Sequence, residues 1–303
     1  MEISHSSKIE SALRSLEGLS VGDAFGEQFF LPPLIAEGLL QRRMMPRGTW
    51  KYTDDTVMAI SIVDVLTERG RIDQELLATL FAARYIADPR RGYGGKAHEI
   101  LAEIANGTPW REVSAAVFNG QGSMGNGAAM RVAPIGAYFC DDFGQTVENA
   151  ILSSEVTHFH PEGKAGAVAV AIAAACSARS MQDPDEFFET ILTHTPDSET
   201  RIGIQKAAAL PLERPVREAG SVLGNGSKVI AQDTVPFAIW CVARHMGQFE
   251  NAIWNVAWGF GDIDTNCAIV GGILASDPQV SIPGKWLEAR EPLENMARTK
   301  LGR

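Results

Sequence analysis

The sequence predicts an all-α protein, and three observations carry that reading. Apolar residues recur at spacings of three and four along nearly the whole chain, beginning with Ile9, Leu13, Leu16 and Leu19. Alternating runs bounded by turn residues, the mark of half-buried strands, are nearly absent; the short apolar stretch 133–139 has some β character but suits a helix equally. The interruptions between periodic segments are short and rich in glycine or aspartate, as in loops joining helices packed in layers or a bundle.

After the first helix, Met58, Ile62, Val65 and Leu66 continue the period out of the stretch YTDDTVM at 52–58, with a helix start expected near Thr56. Periodic segments follow at 76–87, 97–105, 110–118, 146–153, 163–180, 184–192, 198–209, 230–246, 249–258 and 265–275. The longest apolar run, 165–178, falls short of the roughly 18 residues that span a bilayer, and its alanines suit a buried helix. There is no repeat of fixed period and no Ser/Gly- or Pro-rich linker, so residues 1–303 are expected to form a single domain.

With 45% hydrophobic and 21% charged residues, the chain has ample apolar material for one large core. A net charge of −10 argues against a direct grip on nucleic-acid phosphates, which needs a basic face. A small anionic ligand remains compatible, because metal ions and backbone N–H groups bind phosphate without lysines. Cys140, Cys176, Cys241 and Cys267 are far apart and form no CxxC; they read as small buried apolar residues in a reducing compartment. The N-terminal MEISHSSKIE lacks the features of a signal peptide, so a cytoplasmic location is expected.

Four interruptions stand out: GDAFGEQFF at 22–30, YTDDT at 52–56, FNGQGSMGNGAAMR at 118–131 and GFGDIDTN at 259–266. Loops that carry function on a helical scaffold have this character. Asp54 and Asp55 precede one expected helix, and Asp262 and Asp264 another. Thr53 or Asp54 as a helix cap accounts for one acidic residue through the helix dipole. Two clusters, each with two carboxylates and a threonine, call for something positive between them, and hard cations such as Mg²⁺ or Ca²⁺ take these oxygens. Asp262-x-Asp264-x-Asn266 opens like an EF-hand loop, but the positions that need Gly and Glu hold Cys267 and Ile273. The histidines form no HExxH pair, and His158 and His160 in THFHP read either as ligands or as polar loop residues.

Residues 120–125 match GxGxxG, yet the preceding WREVSAAVF reads as a helix where a dinucleotide fold requires a strand. That reading is rejected, and no Walker lysine is present. The run of glycines still suits close approach to a phosphate, with Ser123 and Asn126 offering polar groups and Phe118 a stacking face. A plain turn between helices is the competing reading.

The motifs GDAFG, YTDDTVM, RRGYG, GQGSMGNGAAMR, THFHP and GDIDTNCAIVGGILA stand in the order seen in ADP-ribosylglycohydrolases, which the chain resembles from about residue 10 to 275. The resemblance implies an all-α fold with two Mg²⁺ (or Mn²⁺) ions in a cleft. Its TDD motif maps metal ligands onto Thr53, Asp54 and Asp55, and its DxDT motif maps the rest onto Asp262, Asp264 and Thr265. By the same matching, Gly122, Ser123, Met124 and Asn126 would bind ADP-ribose, with Phe118 against the adenine and His158 at the diphosphate or ribose. Gly94 would line the same cleft.

The implied activity is hydrolysis at the anomeric carbon of the distal ribose, removing mono-ADP-ribose from a modified protein. Arginine is the favoured linkage, with serine or another acceptor the alternative. Several members carry a Glu four residues past the GDxxG motif, where this chain has Phe30; Glu27 is the nearest carboxylate. The expected catalytic groups are therefore Asp55 first and Glu27 second. A catalytically weak ADP-ribose-binding or toxin-immunity protein is the competing function. No sustained heptad or apolar stripe argues for assembly, so a monomer is expected.

Overall fold

The computed structural model describes residues 4–293. Its elements are α1 (His5–Glu27), α2 (Pro33–Gln41), α3 (Asp54–Arg69), α4 (Gln74–Ala87), α5 (Gly95–Ala105) and α6 (Trp110–Gly120). A 3₁₀ turn at Asn126–Ala128 precedes α7 (Ala133–Tyr138), α8 (Phe143–Glu155), α9 (Pro161–Ala178), α10 (Pro184–His194) and α11 (Glu199–Ala208). The remainder is α12 (Val216–Leu223), α13 (Ala231–Arg244), α14 (Phe249–Trp258), α15 (Ile263–Ala275) and α16 (Gly284–Ala289). No strand occurs among the described residues, so the all-α class holds. The ambiguous stretch 133–139 is helical, as α7.

Three short helices carry no sequence signal: α2, α12 and α16 have 9, 8 and 6 residues and are entered from Pro32, Pro215 and Pro283. A proline entry leaves no Ser, Thr or Asp cap to read. Helix α3 begins at Asp54, two residues before the expected start, so both aspartates sit in its first turn. In α6 the helical path fails at Val117, and Phe118 and Asn119 take left-handed φ of 53° and 59°.

The core is built around α9, whose side chains from Ala167 to Cys176 are all fully buried. A helix of alanine and valine lets neighbours approach from every side, and α7, α8, α10, α13 and α15 pack against it. No described helix is long and apolar enough to cross a membrane. Cys176, Cys241 and Cys267 are buried and free as expected, whereas Cys140 is only partly covered.

The contact that positions the site is α1 against α15. A Cβ on Gly18 would lie 2.3 Å from Gly271 O, one on Gly22 2.1 Å from Cys267 O, and one on Gly26 2.6 Å from Asp264 Cα. Glycines one turn apart therefore let the two backbones touch, bringing Asp23 on α1 to the start of α15. Aromatic packing locks the same end of α1: Phe25 stacks on Trp286 at 4.6 Å and meets Trp254 edge-on at 4.8 Å. Beyond it, Phe30, Leu31, Leu34, Ile35, Met44 and Met45 are exposed. This apolar strip was not expected, because α2 hides it from a periodicity search.

Candidate active site

Helices α1, α3 and α15 deliver Asp23, Asp55 and Asp264 to one place, with carboxylate oxygens within 4.8 Å of one another. Asp23 is fully buried and accepts from Thr53 N at 3.0 Å, Thr53 Oγ1 at 2.9 Å, Thr56 N at 3.1 Å and Thr56 Oγ1 at 2.5 Å. It thus caps α3 from another helix. Thr53 holds the N-cap position but makes no side-chain capping bond. Capping, one of the two readings of YTDDT, is performed by a residue outside the motif, and neither Asp54 nor Asp55 is used for it.

Asp55 is 1% exposed, and its Oδ1 has no hydrogen-bond partner among the described residues. Asp54, Asp55, Asp262, Asp264 and Thr265 line a cavity of about 330 Å³. Burial raises Asp54 to about 8, and Asp23 and Asp262 push in the same direction. Burial also lifts Asp55 and Asp264 well above the usual carboxylate range, reinforced by their acidic neighbours, and raises Asp23 to about 6. Arg131 offsets this at Asp54 only in small part, and none of these carboxylates makes an ion pair among the described residues. An orphaned buried oxygen among carboxylate and hydroxyl donors fits a hard divalent cation, which would relieve the repulsion the protein leaves in place.

The opposite wall is backbone. Residues 123–127 of the glycine loop line the cavity together with Lys228, Val229 and Ile230, a segment sequence reading passed over. The two strips pair: Ala231 N donates to Met124 O at 3.0 Å and Asn126 N to Val229 O at 3.3 Å. The glycines are required by what lies beneath them. A Cβ on Gly127 would sit 2.8 Å from His158 Cε1, and one on Gly125 3.1 Å from His158 Nε2. His158 is held neutral, because burial and the Arg131 guanidinium lower it to about 3.

The expected residues divide by placement. Gly94, Phe118, Ser123, Met124, Asn126 and His158 line the cavity, and Phe118 is half-exposed with Lys96 Nζ 5.8 Å from its ring centroid. Asn126 directs both amide hydrogens inward, to Asp262 Oδ2 at 2.7 Å and Thr234 Oγ1 at 3.0 Å, so it ties the glycine loop to the acidic wall. Gly122 does not line the cavity: its Cβ would meet His160 N at 2.7 Å, and its φ is +76°. Thr53 is buried behind the wall, bonded to Asp23. Glu27 is exposed at the end of α1 and lies outside the cavity lining; partial burial and then Asp23 raise its carboxyl.

Two site residues escaped sequence reading. Asp23 stands inside the quoted GDAFG, four residues after Leu19 and therefore on the apolar stripe of α1. Arg131, fully buried and lining the cavity, closes the quoted GNGAAMR. A lone charge inside an otherwise apolar stretch was the available signal in each.

Comparison with known proteins gives the family and the fold. The family model described as ADP-ribosylglycohydrolase matches residues 4–302. The ADP-ribosylhydrolase ARH3 of Mus musculus is 30% identical over 282 residues, covering 81% of this chain and 75% of its own. The Homo sapiens ARH3 is 31% identical over 279 residues, covering 80% and 75%. Among solved structures, one titled ADP-ribosylglycohydrolase-related protein complex superposes with a TM-score of 0.66 at 21% identity, covering 94% of each chain, which supports the fold.

Proposed function

The chain belongs to the ADP-ribosylglycohydrolase family, and on that premise we propose that this glycosyl-bond hydrolase removes mono-ADP-ribose from a modified protein with the help of Mg²⁺ or Mn²⁺. The observation that carries the metal-dependent reading is the orphaned Asp55 Oδ1, buried among acidic neighbours at the wall of the cavity. Two ions are expected, held by Asp54 and Asp55 on one side and Asp262, Asp264 and Thr265 on the other; Thr53, behind the wall, joins them only if its hydroxyl turns from Asp23 to the ion. A bound divalent cation supplies Lewis-acid charge and lowers the pKa of water. The chain's own groups do the rest. The glycine-loop backbone and neutral His158 orient the diphosphate and ribose, and Phe118 offers its face to the adenine. The carboxylates favour positive charge developing at the anomeric carbon.

We assign to Asp55 the proton from the attacking water; its place in the cavity lining, from which Glu27 is absent, supports that reading. Position 30, where relatives with a further Glu have a carboxylate near the scissile bond, holds an exposed phenylalanine. That favours arginine as the acceptor. When the anomeric C–N bond breaks, its electron pair goes to a guanidinium that leaves as neutral guanidine without a general acid, whereas a serine oxygen would leave as an alkoxide unless a proton is supplied. The test is release of free ADP-ribose from arginine- and serine-linked peptides in Mg²⁺. Release from the arginine peptide is expected; tight binding without release from either would instead establish the silent-reader alternative.

A further inference from the structure

Beneath the glycine loop lies a chain of hydrogen bonds that determines which nitrogen of His158 carries its proton. Arg131 is fully buried and can only donate. Its Nη2 donates to Ser153 O at 3.0 Å and to Thr157 Oγ1 at 2.9 Å. The guanidinium is held in that pose by Phe81, whose ring centroid lies 4.5 Å from Cζ, and by Met58 Sδ at 3.5 Å from Nη1. Thr157, 1% exposed, therefore receives a hydrogen from the arginine and has one of its own to give. Its other hydrogen-bond partner is His158 Nδ1, at 2.8 Å. Nδ1 is the one acceptor recorded for that hydroxyl hydrogen among the described residues, and the reverse direction would leave it buried without a partner; the hydroxyl therefore donates and Nδ1 accepts.

We infer that Arg131, acting through Thr157, fixes His158 as the tautomer protonated on Nε2 and so makes it a hydrogen-bond donor at the cavity wall. Nε2 lies against the glycine loop, 3.0 Å from where a Cβ on Gly127 would stand and 3.1 Å from one on Gly125. The imidazole makes no hydrogen bond through Nε2 to any described residue, which leaves that proton for a ligand oxygen. A neutral donor suits an anionic diphosphate or a ribose hydroxyl beside a carboxylate cluster, because it brings no second charge to titrate. Arg131 and Thr157 are positioning residues in this scheme. That the recipient is an oxygen of ADP-ribose rests on the function proposed above; the tautomer does not.

The test separates the two. Protein labelled with ¹⁵N in histidine is examined by long-range ¹H–¹⁵N spectroscopy, with His158 assigned by its loss in His158→Gln. The free wild-type protein is expected to show a protonated Nε2 and a bare Nδ1. In Thr157→Val the proton redistributes to Nδ1 and ADP-ribose affinity in calorimetry falls about tenfold, the scale of one lost hydrogen bond; Thr157→Ser retains both. A protonated Nδ1 in the wild type overturns the inference, as does a Thr157→Val protein with unchanged tautomer and affinity. The wild-type spectrum decides the tautomer even if the valine variant does not fold. Absence of ADP-ribose binding by the wild type would overturn the proposed function while the spectrum still reports on His158.

Discussion

The two walls of the cavity are built on opposite principles. On one side three helices, α1, α3 and α15, carry carboxylates on rigid backbones and drive them together against their own repulsion. On the other, a glycine loop pairs with the segment 228–231 and presents backbone and a neutral histidine. The first wall stores electrostatic strain that an ion would relieve. The second carries no such repulsion and holds shape, with His158 Nε2 left free for a ligand. Asn126 joins them through Asp262. The difference teaches that the acidic wall gathers carboxylates without neutralising them, while the glycine wall closes around the His158 ring.

The most severe disruption is expected from Asp55→Asn, which leaves the volume and removes the orphaned charge. Release of ADP-ribose should fall on the order of a thousand-fold at saturating Mg²⁺. The metal-free variant should nonetheless melt higher than wild type at pH 8, because a repelling neighbour is gone; a lower melting temperature would point to a structural role. Gly26→Ala attacks the acidic wall from behind, since its Cβ would fall 2.6 Å from Asp264 Cα. It should cost about 2–3 kcal/mol in urea unfolding and weaken Mn²⁺ uptake. Gly38→Ala, with nothing within 4 Å, is the control and should be neutral or slightly stabilising.

Gly127→Ala strikes the other wall, pressing on His158 at 2.8 Å. ADP-ribose affinity should drop about tenfold with Mn²⁺ affinity unchanged; a parallel loss of both would show that the walls are not separable. The mildest perturbation is pH on the metal-free protein. Asp54, raised from 3.8 to about 8, and Asp23, raised to about 6, contribute stability that is full near pH 4 and is lost as pH climbs toward 8. His158, lowered from 6.5 to about 3, contributes stability that is full above 6.5 and is lost as pH falls toward 3. Melting temperatures across that range should reveal the first loss without Mg²⁺ and its suppression with Mg²⁺, whereas the second should persist in both.

Legibility in the sequence followed the same division. Helices with long apolar periods are legible, α14 to the residue and α9 within two residues at each end, and adjacent aspartates announce the acidic wall. What could not be read was contact between distant backbones. The glycines at 18, 22 and 26 recur at the period of their own helix, and only the approach of α15 explains them. Asp23 has the same cause: it faces Thr53 and Thr56, which a local search for caps does not reach. Gly125 and Gly127 looked like a phosphate cradle, and the structure adds that they clear a histidine more than thirty residues downstream. Phe118 was expected at the end of a regular helix, but its left-handed backbone, at φ 53°, belongs to the loop.

On the metal-dependent reading proposed above, the acidic wall is a divalent-cation site and Asp55 takes part in holding the metal. Chelator-stripped protein titrated with Mn²⁺ and followed by the electron paramagnetic resonance of the free ion tests this directly. Wild type is predicted to take up two ions and Asp55→Asn to lose at least one of them; no uptake by the wild type, or equal uptake by both proteins, would contradict it.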